Sequence, residues 1–96
     1  MLDLQQLHTF IMVVATKSFT QAAVKLGYSQ STVTFHIKAI EKELGVQLID
    51  RYRFSRRIKL TAEGRRAHEY ALKLVRMAEG VKAKLNADKG PRAPAA

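Results

Sequence analysis

Between Ser29 and Thr34, five of six consecutive residues carry hydrogen-bonding side chains: Ser29, Gln30, Ser31, Thr32 and Thr34. Hydroxyl and carboxamide groups donate and accept, so such a run can bond base edges or phosphate oxygens. Gln30 has the geometry for a bidentate pair with adenine. Further on, Arg51, Arg53, Arg56 and Arg57 crowd into one short stretch. A guanidinium suits two-pronged phosphate contact and insertion into a narrow groove better than an ammonium does. The charge is correspondingly uneven. Residues 1–50 sum to zero, residues 51–66 carry +6 and residues 67–96 carry +3, within a formal net charge of +9. A basic cluster of this kind seeks phosphates, because each neutralised phosphate releases condensed counterions. A solubilising face or a membrane surface are the alternatives that charge alone leaves open.

Other chemistries find little support. There is no cysteine, hence no disulfide scaffold, thiol nucleophile or cysteine-ligated metal. His8, His36 and His68 are the only imidazoles, and none stands at metal-ligand spacing. They are expected at the surface or in packing, with His36 close enough to the polar run to touch a bound ligand. No glycine-rich phosphate loop, nucleophile elbow or paired carboxylates occur. No catalytic residue, metal site or cofactor is therefore expected, and the chain is not expected to be an enzyme. Ser18 and Ser29 are accounted for by helix capping.

The elements that must hold these groups follow from caps and periodicity. Asp3 and Gln6 form a capping box, and Leu4, Leu7, Phe10, Ile11 and Val14 recur at helical spacing, predicting a helix over 4–16. Ser18 and Gln21 open a second, short, alanine-rich helix that Gly27 closes. Ser29 caps a third, with Val33, Ile37, Ile40 and Leu44 facing the core and Gly45 ending it. Only Gly27, Tyr28 and Ser29 separate the second helix from the third, the signature of a helix-turn-helix. Two short strands are expected at 45–51 and 56–61, making a hairpin wing around the arginines.

Thr61 then caps a long last helix. Its apolar residues Ala67, Ala71, Leu74, Ala78, Val81 and Leu85 alternate steps of four and three. That seam predicts pairing with a second copy, or packing of its first turns on the first helix of the same chain. Gly80 either permits close helix crossing or is tolerated at a cost of about 1 kcal/mol. The Pro/Ala-rich end reads as a flexible tail. The expected organisation is mainly α: a winged helix-turn-helix domain over 1–61, a linker and dimerisation helix over 62–88 and a tail over 89–96. At 96 residues there is room for one small core, and at 47% hydrophobic content the chain can fold. No apolar run is long enough to span a membrane, and the first residues lack the pattern of a secretion signal. A cytoplasmic, nucleoid-associated location is the expectation.

Four segments in order, Phe19-Thr20-Gln21-Ala22-Ala23, Ser29-Gln30, Ile40 through Leu48 and Leu60-Thr61-Ala62-Glu63-Gly64, resemble the N-terminal winged helix-turn-helix domain of LysR-type transcriptional regulators. The resemblance covers roughly residues 1–85. It implies double-stranded DNA as partner and a homodimer joined by antiparallel linker helices, each copy reading half of an interrupted palindrome. Members of the family are usually about three times longer and carry an effector-binding domain, expected to be absent from this chain. Ser31 stands where proline is common, and Phe35 where a basic or polar residue is common.

Projected at about 100° per residue, the third helix turns Ser31, Phe35, Lys38 and Lys42 away from its core stripe, with Thr34 at their edge. The base-reading set is then Gln30, Ser31, Thr32, Thr34, Phe35 and Lys38, since the first turn of such a helix enters the major groove. Phe35 either meets thymine methyl groups or covers Tyr28 or a nearby loop of its own domain. Thr20, Ser29, Arg51, Arg53, Arg56 and Arg57 form the backbone and wing set, one wing arginine entering the minor groove. Ala67, Ala71, Leu74, Ala78, Val81 and Leu85 form the dimerisation set. Two rival functions remain: a short form that dimerises with full-length relatives, and a nucleoid-type binder without sequence preference.

Overall fold

The computed structural model describes residues 1–50 and 58–89. Four helices follow in order: α1 (Leu4–Thr16), α2 (Phe19–Leu26), α3 (Gln30–Leu44) and α4 (Ala62–Lys89). Each of the first three begins and ends where its capping residues dictate. The Asp3 carboxylate accepts the Gln5 N–H at 2.7 Å, Ser18 accepts the Gln21 N–H at 3.1 Å and Ser29 accepts the Thr32 N–H at 3.1 Å. At the C-termini, Gly27 and Gly45 take the left-handed conformation at φ 72° and 70°, which costs glycine little and other residues more. Lys17 closes α1 in the same conformation without being glycine.

The core lies among α1, α2, α3 and the segment after α3. Phe10, Val13, Ala22, Val33, Ile37, Ile40 and Leu48 are buried there. The apolar face of α1 is rotated from its expected position: Leu7, Thr9, Phe10 and Val13 are buried, whereas Leu4 is 51% exposed. Leu44, expected in the core, is 41% exposed in the last turn of α3, where it borders a hollow lined by Leu7, Phe10 and Ala71.

Residues 51–57 of the expected hairpin wing lie outside the described residues, and the segments on either side of them pair. Among the described residues the pairing is one antiparallel bridge, Ile49 to Leu60. The Asp50 N–H bonds the Lys59 carbonyl at 2.8 Å, and the Thr61 N–H bonds the Leu48 carbonyl at 3.0 Å. The start of the expected first strand is engaged elsewhere. The Val46 N–H returns to the Glu41 carbonyl at 3.3 Å, and the Glu41 side chain accepts the Leu48 N–H at 2.7 Å. Helix capping and a carboxylate thus occupy donors that a longer ladder would need.

Thr61 caps α4 as expected, accepting the Gly64 N–H at 2.9 Å while its own hydroxyl donates to the Gln47 carbonyl. Gly64 is where α4 meets the chain most closely: a Cβ there would run into the Leu48 carbonyl oxygen. The first turns of α4 lie on α1. Ala71 is 1% exposed, and His68 meets the Phe10 ring edge-on at 6.1 Å. Ala71 and the half-buried Ala67 thus pack within their own chain, the alternative that the seam left open for its first turns. Leu74, Val81 and Leu85 are 43%, 53% and 57% exposed, with Met77 beside them at 68%. Among the described residues, no helix is long and apolar enough to cross a membrane.

Candidate nucleic-acid interface

The α2–turn–α3 unit presents the first turn of α3 at the surface. Gln30, Ser31, Phe35 and Lys38 are exposed, while Val33, Ile37 and Ile40 on the opposite face are buried. This division is forced by the sequence, since one helix cannot turn its branched aliphatic stripe inward without turning the intervening positions outward.

Hydrogen bonds organise the exposed turn. Besides capping the helix, Ser29 Oγ lies 3.1 Å from Ser31 Oγ and 2.9 Å from Thr32 Oγ1. Thr32 is half-buried and its hydroxyl belongs to this cap; Thr34 is half-buried as well. Thr20, on α2, donates to Gln30 Oε1 at 3.2 Å. That bond steadies the carboxamide by its oxygen, which keeps a second lone pair, and leaves the NH₂ as a donor. Bidentate pairing with an adenine edge is compatible with this geometry. Of the backbone set, Thr20 and Ser29 flank the same surface, both exposed. Arg51, Arg53, Arg56 and Arg57, the expected wing arginines, lie outside the described residues.

Phe35 is 65% exposed in the middle of this face. It does not take the role of a cover for Tyr28. The Tyr28 ring is met edge-on by His36, centroids 5.5 Å apart, whereas Phe35 leans on His36 at 6.3 Å. Met1, Gln6, Lys38 and Lys42 border the shallow hollow beside Phe35. Lys38 and Lys42 add positive charge along this side, and Glu43 beyond them is paired with the N-terminal ammonium at 3.0 Å. The surface thus combines a Ser29-capped helix N-terminus, small hydroxyls, one carboxamide, one exposed phenyl and two ammonium groups. Such a surface can hydrogen-bond, make apolar contact and attract anions.

Two groups of residues near the face escaped sequence reasoning. Gln5, Thr9, Tyr28 and His36 form a cluster between α1 and the base of α3. The signal was present in Thr9, a polar residue on a buried helical face, which needs a partner. Glu41 is the other, holding the backbone that leads toward the arginine-rich segment. Among the described residues no group of three or more His, Asp or Glu is placed to hold a metal ion.

Comparison with known proteins gives the family. Residues 4–65 match the family described as bacterial regulatory helix-turn-helix protein, lysR family. The chain is 43% identical over 74 residues to the HTH-type transcriptional regulator CitR of Bacillus subtilis, covering 77% of this chain and 25% of CitR. It is 42% identical over 74 residues to the regulator BenM of Acinetobacter baylyi, covering 77% of this chain and 24% of BenM. It thus spans about a quarter of the length of these relatives. The crystal structure of the BenM DNA-binding domain with catB site 1 DNA superimposes with a TM-score of 0.86 at 34% identity, covering 95% of this chain and 99% of that one. The full-length regulator LysG of Corynebacterium glutamicum superimposes with a TM-score of 0.81 at 27% identity, this chain covering 31% of it.

Proposed function

The chain belongs to the LysR family of bacterial regulatory helix-turn-helix proteins, and from that premise we propose that it is a sequence-specific module for double-stranded DNA within a transcription regulator. The first turn of α3 enters the major groove. Gln30 and Ser31 bond base edges there, Thr32 and Thr34 support them from the margin, and Phe35 and Lys38 extend the contact. Thr20, Ser29 and Arg51 hold phosphates. Arg53, Arg56 and Arg57 provide the wing, one of them in the minor groove. Two copies joined through α4 take the two halves of an interrupted palindrome. The protein acts in the cytoplasm, on the nucleoid, and needs no cofactor for this task.

One observation carries this reading: a helix capped by Ser29 that is buried on Val33, Ile37 and Ile40 and exposed on Gln30, Ser31, Phe35 and Lys38. The likeness to a domain solved on DNA supports it. The test is a binding-site selection on the purified chain, followed by titration of the recovered duplex against a scrambled one over a salt series. A selected duplex bound at least about a hundredfold more tightly than the scrambled one is expected. Equal affinity for both would favour a nucleoid-type binder. Recovery of a mixed oligomer with a longer family member would favour a modulator of full-length regulators. No binding to either duplex in dilute buffer would end the proposal.

A further inference from the structure

Thr9 is fully buried in α1, yet its hydroxyl makes two contacts. It donates to the Gln5 carbonyl at 3.1 Å and lies 2.8 Å from His36 Nδ1. A hydroxyl has one proton and a carbonyl can only accept, so both contacts are hydrogen bonds only if His36 Nδ1 carries the proton and donates. The imidazole is gripped from a second side by the edge-on Tyr28 ring, whose hydroxyl accepts from Gln5 Nε2 at 2.6 Å. Gln5 therefore enters the cluster twice, through its carbonyl and through its side chain. Three parts of the fold meet here: α1, the turn before α3 and α3 itself. His36 follows Phe35 directly, and the two rings touch.

We infer that Gln5, Thr9, Tyr28 and His36 form a clasp that sets the angle of α3 and so positions Phe35 and the first-turn hydroxyls for base reading. They are positioning residues, acting through α3 rather than on the ligand. The apolar contacts of Val33, Ile37 and Ile40 hold α3 on the core but are not directional. A hydrogen bond is directional, and a buried one specifies a single arrangement. Reading of base edges needs that second property more than phosphate contact does, since phosphate contacts carry no sequence information. This inference rests on the DNA-binding proposal above.

Titration of the whole chain with the selected and scrambled duplexes, followed by fluorescence anisotropy, tests it. Thr9→Val exchanges the hydroxyl for a methyl of similar shape. The selected duplex is expected to bind about tenfold more weakly, with scrambled-duplex affinity and the helical circular-dichroism signal unchanged. Thr9→Ser, which restores the hydroxyl, recovers selective binding. A merely structural role would weaken both duplexes alike, and that result overturns the inference, as does Thr9→Val with undiminished selectivity. Should Thr9→Val fail to fold, Tyr28→Phe carries the same comparison by removing only the hydroxyl that Gln5 holds. Its expected loss of selectivity is about threefold, and full retention there is equally fatal. Imidazole nitrogen shifts of His36, measured by NMR without DNA, are expected to place the proton on Nδ1. A proton on Nε2 alone would make Thr9 the donor to Nδ1 and overturn the double bonding assigned to its hydroxyl, although the bond between α1 and α3 would persist. A parent chain that fails to discriminate the duplexes while showing the Nδ1 proton instead fails the DNA-binding proposal, and this positioning role falls with it.

Discussion

Phe35 sets the sharpest question at the level of single residues. A phenyl ring 65% exposed on a small protein gives up burial worth about 25 cal/mol per Å² of apolar surface, and its contact with the His36 ring leaves most of it in water. In the major groove its counterpart is the thymine methyl, the one apolar feature that a base edge displays. One buried methyl is worth about 0.8 kcal/mol, or roughly fourfold in affinity. Replacing thymine by uracil one position at a time within the selected site should locate it. For the parent chain, one or two positions are expected to lose about that factor. For Phe35→Ala the same positions should lose nothing further, and a new site selection should show relaxed preference there. If the parent tolerates uracil everywhere, Phe35 reads no methyl group.

At the level of elements, glycines on α4 give opposite predictions for one substitution. A methyl at Gly64 meets the Leu48 carbonyl oxygen, a backbone atom already bonded to the Thr61 N–H, so the neighbour cannot yield cheaply. Gly64→Ala should destabilise the fold by about 2–3 kcal/mol and lower the melting temperature by roughly 10–20 °C. Gly80 has no heavy atom within 4 Å of a built Cβ, so Gly80→Ala should add about 1 kcal/mol of helix stability. A drop at Gly80 would instead mark a close crossing with a partner helix. The sequence carried most of these elements because their ends are local. Asp3, Ser18, Ser29, Thr61, Gly27 and Gly45 each cap a helix end within a turn or so of their own position. What it did not carry was set by packing across the chain. The burial of Thr9 and Val13 in place of Leu4 depends on where α3 and α4 lie against α1, and the shortened strand depends on Glu41 reaching forward to Leu48. The exposed face of α3 was legible because its buried stripe is strongly patterned. The clasp was not, because its members stand on α1, the turn before α3 and α3 itself, and only packing across the chain brings them together.

The shape of the whole molecule carries the last prediction. Its radius of gyration is 16.5 Å, against about 12.5 Å for a compact chain of this length. The long dimension, 61 Å against 25 and 20 Å, reflects α4 extending past a small body. Its first turns are anchored on α1 through Ala71 and His68, but Leu74, Met77, Val81 and Leu85 stay exposed along its outer part. An isolated helix end with that much apolar surface has no tertiary packing to stabilise it. In the proposed dimer a second copy would supply the packing, since a two-fold axis would bring the same stripe from each chain into contact. Such pairing would also fix the distance between the two α3 helices, which single chains cannot do. Val81→Glu puts a charge into that stripe without touching the buried core. The variant is expected to keep its helical signal, to sediment as a monomer where the parent sediments as a dimer, and to show a salt slope about half as steep on a two-half-site duplex, because half as many phosphates are engaged at once. A variant that still sediments as a dimer would move the interface away from the outer part of α4. A monomeric variant with an undiminished slope would mean that one copy makes all the phosphate contacts, and that the spacing of half-sites is not set by this helix.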